Sequence, residues 1–178
     1  MKVWTDQDRN TYRATLEHEA AHYAAAIHVR AGVYEVEIRS PRTTKDYLGG
    51  INAAAVHPWA DAVLRLAGSV WNVQHLGMAP AMSDIHSAKS WLSGTGCTFD
   101  SLERFVGDFL QDQQHNVRRL ADRIDRDLPK TGILRGRTLN RITDDFTQII
   151  PQIERHEMPA ARYRPQRSHW MKARTGIL

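Results

Sequence analysis

The pattern of hydrophobic and polar positions predicts a long helix at the start of the chain. From Asp6 to Arg30 the sequence is polar at first, alanine-rich in the middle and followed by Gly32, which is typical of one continuous helix. Bulky residues recur at the spacing of a single helical face and predict its buried stripe: Tyr12, Leu16, Tyr23 and Ile27. This helix is therefore expected to pack against the rest of the protein.

The hydrophobic period then changes from that of a helix to that of a strand. Val36 and Ile38 alternate with charged residues within residues 33–40. After a polar loop, residues 48–54 form a second short apolar segment. We interpret the two segments as antiparallel strands. The predicted fold class is α+β and mostly helical, with the first helix beside a small antiparallel sheet and a helical bundle after it.

Four more helices are predicted after the sheet: residues 57–75, 83–92, 100–128 and a shorter one after Thr138. Pro58 suits the first turn of one of these helices, and Ser83 is predicted to cap the next. Asp100 begins the longest helix with a capping pattern, and Pro129 ends it. Inside a helix, glycine costs about 1 kcal/mol relative to alanine, so we attribute Gly68 to close helix packing.

Composition and charge divide the chain into a domain and a tail. The chain has 178 residues, of which 42% are hydrophobic, enough for one core, and we assign it to residues 1–150. Residues 151–178 contain three prolines and six Lys or Arg against two Glu, which predicts a basic, flexible tail. Because the basic charge is concentrated there, a dedicated nucleic-acid-binding domain is disfavoured. A weak, salt-sensitive contact with nucleic acid through the tail stays open.

The cysteine count and the apolar segments indicate the cellular compartment. Cys97 is the single cysteine and cannot form an internal disulfide, so an oxidising compartment is not implied. The first residues lack the apolar core of a signal peptide, and no apolar run reaches membrane-spanning length. We therefore expect a soluble, cytoplasmic protein with no membrane partner.

The most informative motif lies on the first predicted helix, in the run His18-Glu19-Ala20-Ala21-His22. Histidines four residues apart lie on one face of a helix, so His18 and His22 can bind one zinc ion. Glu19 is rotated to the side, where it can act as general base on a zinc-bound water without being a ligand. The alternative is a helix that carries two ordinary histidines.

A zinc hydrolase usually has a third protein ligand. His28 has the spacing seen in metzincins, but that family has glycine where this chain has Ala25, and here the helix continues. At 100° per residue His28 points about 80° from His18 and about 120° from His22. It is therefore expected to face away from the metal.

The order of motifs along residues 8–145 resembles the peptidase domain of the FtsH family of ATP-dependent proteases. The matching segments are His18-Glu19-Ala20-Ala21-His22, Val36-Glu37-Ile38, Leu48-Gly49, Leu66-Ala67-Gly68 and Ser83-Asp84-Ile85. Ala21 replaces the family's glycine and Ser83 replaces its asparagine. The resemblance implies that Asp84 is the third zinc ligand, and the alternative is that its carboxylate only stabilises the N-terminus of its helix. His86 is assigned no role, although it is close enough to Asp84 in sequence to assist the metal site.

The resemblance also implies how substrate is bound. It suggests that the strand at residues 48–54 pairs with an extended peptide, although an edge strand can also simply close the sheet. The chain has no glycine-rich phosphate loop, so it is not expected to bind ATP in that family's manner. Its polypeptide substrates would then be flexible or already unfolded, or would be delivered by a separate unfoldase.

Together these observations predict a zinc metalloendopeptidase that hydrolyses unfolded or flexible segments, with Glu19 as base and His18, His22 and Asp84 as ligands. The alternative is a catalytically weak relative that binds a protein, or nucleic acid through its tail. A metal site open to water beside Glu19 would favour the enzyme, and a sealed site would favour the binding module.

Overall fold

The computed structural model describes residues 5–39 and 48–153. In chain order its elements are α1 Asp6–His28, β1 Gly32–Ile38, β2 Gly49–Ala54, α2 Pro58–His75, α3 Met82–Leu92, α4 Phe99–Asp112, α5 Gln114–Asp127, β3 Ile133–Arg135 and α6 Arg137–Thr147. The strands form one antiparallel sheet in the order β2-β1-β3. The predicted mostly helical α+β architecture is therefore confirmed. Among these residues, no helix is both long and apolar enough to cross a membrane.

Helix α1 is the centre of the fold. It begins with a capping box between Thr5 and Asp8. From residue 16 to residue 27 nearly every side chain is buried, because α2, α5 and the sheet cover different sides of the helix. The small alanine side chains of this stretch let those elements approach closely. Of the predicted core stripe, Leu16, Tyr23 and Ile27 are buried, whereas Tyr12 is half-buried and donates a hydrogen bond to Asp125.

The sheet lies beside α1, with β2 at one edge. In the middle strand, Val36 is buried and pairs with Ile51 on one side and Leu134 on the other. Sequence reasoning missed β3, because a three-residue strand is too short to show an alternating pattern. Gly132 precedes it with a φ of +74°, and a Cβ there would lie 2.5 Å from the carbonyl oxygen of Ile38.

Three details of the predicted helices were wrong: one helix is broken in two, and two caps lie at other residues. The helix predicted over residues 100–128 is two helices that meet at Gln113, because α4 packs mainly on α2 while α5 packs on α1. Thr98 caps α4 through the Ser101 amide, in place of Asp100. Helix α3 begins after Ala81, so Ser83 lies in its first turn and is not its cap.

The C-terminal end of the described chain packs on the core. Ile150 and Ile153 are buried, and the Ile153 amide donates a 2.8 Å hydrogen bond to the carbonyl oxygen of His28. Residues 154–178, which hold the basic charges of the predicted tail, lie outside the described residues. A tail that begins at residue 151 therefore stays a prediction, although packing continues to Ile153.

Candidate metal centre

Helix α1 brings His18 and His22 together as the motif predicts. They lie one turn apart, and their Nε2 atoms are 3.1 Å from each other. His22 is buried, whereas the His18 side chain is 17% exposed. Both Nε2 atoms can therefore reach a single ligand.

Helix α3 supplies the third group. The Oδ2 atom of Asp84 lies 3.3 Å from Nε2 of His18 and 3.3 Å from Nε2 of His22. The three atoms thus form a triangle with edges of 3.1 to 3.3 Å. In a tetrahedral zinc site with bonds of 2.0–2.2 Å, neighbouring ligand atoms are about 3.4 Å apart, so the donor set has the size that zinc requires.

Asp84 Oδ2 is also buried without a hydrogen-bond partner. Its neighbours are Nε2 of His18 and Nε2 of His22, each at 3.3 Å, and His22 can form an ion pair with it when protonated. A buried carboxylate oxygen normally has a hydrogen-bond or metal partner, and here a charged His22 or a metal ion can fill that role. The structure therefore brings the three predicted ligands together in a geometry that fits a metal, and their binding of zinc stays a prediction.

Helix α2 fixes the orientation of both imidazole rings. Nδ1 of His18 donates to Oδ1 of Asn72 at 3.1 Å, and Nδ1 of His22 donates to the carbonyl oxygen of Leu64 at 2.5 Å. Because both acceptors are oxygens, each Nδ1 is the donor, and once Nε2 is free of a proton its lone pair is directed at a metal. Sequence reasoning missed these partners. The one available signal was Asn72, a polar residue in an otherwise apolar part of α2.

Gly68 lies on α2 midway between Leu64 and Asn72, four residues from each, on the helix face that meets the histidines. A Cβ at this position would be 2.4 Å from Nε2 of His22 and 2.6 Å from Nε2 of His18. The close packing predicted at Gly68 is therefore a close approach to the imidazole rings. Any larger residue would occupy space that they need.

We expect Gly68→Ala to lower zinc affinity sharply while leaving the helix content unchanged. The added methyl group must displace the histidines, yet alanine favours a helix by about 1 kcal/mol relative to glycine. Isothermal titration with zinc and far-ultraviolet circular dichroism would measure the two effects. Gly107→Ala is the matched control, because its Cβ would meet the exposed end of Gln74 and not a buried ring. Equal zinc affinity in the two variants would contradict this role of Gly68.

Glu19 lies beside the three candidate ligands and is not one of them. It is buried, and burial is the main reason that its pKa rises to about 7, with His22 opposing the rise and Asp84 adding to it. Strand β2 lies against it, since a Cβ on Gly49 would be 2.8 Å from Oε1 of Glu19. Glu17, two residues earlier, is paired instead with Arg13 at 2.7 Å. Of the two carboxylates, Glu19 is thus the one available at the site.

The ligand residues titrate as a linked group. Burial, and then the charge of His22, lower the pKa of His18 to about 4. Burial also disfavours charge on His22, but the adjacent Asp84 carboxylate outweighs it and raises the pKa of His22 to about 9. Burial would raise the pKa of Asp84, and the contact with His22 holds it below its usual range. At neutral pH a metal ion must therefore displace a proton from His22.

A pocket of about 620 Å³ opens directly onto this site. Its walls include Glu19, Asp84 and both histidines, the small side chains Thr11, Ala14 and Thr15, and residues 48–51 of the edge strand. The Asp84 side chain is 17% exposed within it. The pocket thus reaches the candidate ligands, and a metal site with an open side is typical of catalytic metal sites.

Two other histidines lie away from the centre. His28 stacks on Phe109 with ring centroids 4.1 Å apart, and its Nδ1 contacts the carbonyl oxygen of Pro151. The prediction that it faces away from the metal is confirmed. His86 is exposed on α3 and is not in the group of candidate ligands.

Comparisons with protein-family models and with curated proteins find no match to this chain.

Proposed function

We propose that this protein is a zinc-dependent metalloendopeptidase, similar to the FtsH peptidase domain, that cleaves unfolded or flexible polypeptide segments. One observation carries the proposal. Oδ2 of Asp84 is buried 3.3 Å from Nε2 of both His18 and His22, beside a pocket that Glu19 also lines. This arrangement supports a catalytic site over a sealed binding module.

Residues of α1, α2 and α3 would bind and orient the metal. His18, His22 and Asp84 hold the metal, and Asn72 and the Leu64 carbonyl keep the two Nε2 atoms directed at it. A bound zinc ion supplies a Lewis acid, which lowers the pKa of water and polarises a carbonyl group. With two neutral imidazoles and one carboxylate, the donor set suits zinc better than magnesium, which prefers oxygen ligands alone.

Glu19 supplies the proton transfer. In the metal-free protein burial raises its pKa to about 7, and from its place beside the candidate ligands it could accept a proton from a water molecule in the pocket and later donate it to the leaving amine. Burial also removes competing water from its carboxylate. Glu19 therefore acts as general base and then as general acid, while the ligand residues only bind the metal.

The edge strand supplies the position of the substrate. Among the described residues β2 pairs with β1 alone, so its outer edge can accept an extended peptide. Gly49 brings that edge against Glu19, and Ile51 lines the same pocket. Only an extended segment can pair in this way, so folded proteins would need a separate unfoldase.

Metal removal tests the proposal. Protein purified without chelators should contain about one zinc ion per chain and hydrolyse unfolded casein. A strong chelator should abolish the hydrolysis, and zinc, but not magnesium, should restore it. Free zinc at a hundred times its Kd should stabilise the fold by about 2.7 kcal/mol in thermal unfolding. Hydrolysis that survives complete removal of metal would contradict the proposal.

A further inference from the structure

Arg65 is a charged residue of the pocket that the mechanism above does not use. It follows Leu64 on α2, and the Leu64 carbonyl oxygen holds His22, so the metal site and Arg65 share one turn of helix. Arg65 is partly buried and lines the pocket. It is the one Lys or Arg among the described residues that do so.

The hydrogen-bonding capacity of Arg65 is largely unused. Nη2 donates to the carbonyl oxygen of Ala53 at 3.3 Å, whereas Nε is buried and has no hydrogen-bond partner. Asp61 lies one turn earlier on α2, but its Oδ1 accepts from the amide of Ala55 at 3.1 Å. Within the described ranges, no carboxylate forms an ion pair with Arg65 at 4 Å or less, although burial raises the pKa of Asp61 and the charge of Arg65 partly opposes that rise. A guanidinium has five N–H donors arranged to bind a carboxylate through two of them at once.

We propose that Arg65 binds a carboxylate of the polypeptide substrate, either an Asp or Glu side chain or the C-terminal carboxylate of the chain. The choice of a polypeptide as ligand rests on the proposed function. The assignment of a carboxylate rests on the charge of Arg65, its place in the pocket wall and the absence of another Lys or Arg among the described lining residues.

Strand β2 gives the distance between Glu19, near one end of the strand, and Arg65, near the other. Gly49 lies against Glu19, and Ala53 accepts a hydrogen bond from Arg65. These residues are four positions apart, which is about 13 Å in a strand that rises about 3.3 Å per residue. A peptide paired along this edge would place its cleaved bond near Glu19 and the carboxylate about four residues away. The recognised group should therefore lie at a fixed separation from the bond that is cut.

Direct peptide binding tests the inference separately from catalysis. The zinc-loaded Glu19→Gln variant would be titrated, by fluorescence anisotropy, into labelled ten-residue peptides of alanine, leucine and glutamine. One form is neutral, with glutamine throughout and an amidated end. A second set carries a single Glu in place of Gln at each position in turn, and a third form has a free C-terminal carboxylate. The second set and the third form distinguish the two sources of the carboxylate.

One Glu position, or the free C-terminus, should tighten binding about tenfold to hundredfold relative to the neutral peptide. In the same background, Arg65→Gln should remove this gain, and Arg65→Lys should keep part of it, because lysine retains the charge without the planar fork. Arg119→Gln is the control, since Arg119 is exposed on α5 and does not line the pocket.

Equal binding of acidic and neutral peptides, no binding of any peptide, or a preference that persists in Arg65→Gln would each overturn the inference. Wild-type hydrolysis is a separate readout. If hydrolysis is absent while the Arg65-dependent preference is present, the peptidase proposal fails and the carboxylate site stands.

Discussion

Replacing Glu19 by Gln should lower the hydrolysis of unfolded protein by about a hundredfold to ten-thousandfold, the usual cost of losing a general base. Glutamine keeps the size of the side chain but cannot accept a proton from water. Glu19 is not in the group of candidate metal ligands, so the zinc content should stay that of the wild type. Steady-state cleavage of a fluorescent casein, together with metal analysis of the same sample, measures both quantities.

Glu17→Gln is the matched control for this experiment. Glu17 is also buried on α1, but it lies outside the pocket and pairs with Arg13 and Arg118. Its replacement should lower thermal stability and leave the rate per zinc-loaded molecule unchanged. If wild type and Glu19→Gln cleave equally, the activity does not come from this site. If neither cleaves casein, short flexible peptides would be the next substrates, because folded or aggregated protein cannot pair with an edge strand.

Replacing Asp84 by Ala should remove most of the bound zinc. The substitution deletes one of three donors and leaves only the two histidines of α1. Changes around a metal's ligands typically cost 10–100-fold in affinity, so loss of a ligand itself should exceed about 100-fold. The zinc-dependent gain in thermal stability should fall with the affinity. Competition with a chromogenic chelator measures the affinity.

Two histidine variants control for this experiment. His86→Ala changes an exposed residue of the same helix, and it should keep wild-type zinc affinity. His28→Ala should also keep zinc, although it should lower stability because the ring stacks on Phe109. Equal zinc content in wild type and Asp84→Ala would end the assignment of Asp84 as a ligand. Loss of zinc in His28→Ala without unfolding would show that the site has been placed wrongly.

Most of the local structure could be predicted from the sequence because it depends on neighbours within a few residues. The run His18-Glu19-Ala20-Ala21-His22 is helical, and helix geometry alone aligns the two histidines and turns Glu19 to their side. The same geometry explains why His28 faces away. The strand at residues 32–38 followed from alternation of apolar and polar residues, and the strand at 49–54 from a second short apolar segment after a polar loop.

Only the tertiary structure decided how distant elements meet at the site. Spacing along the chain does not relate Asp84 to His22, 62 residues earlier, and the sequence pointed to it through a resemblance alone. Its 3.3 Å approach depends on how α3 packs on α2, and α2 in turn sets the partners of both imidazoles. The break at Gln113 has the same origin, since α4 and α5 follow different partner helices. Periodicity records which face of an element is buried, but not which distant residue will cover it. That choice is made by shape and packing when the elements come together.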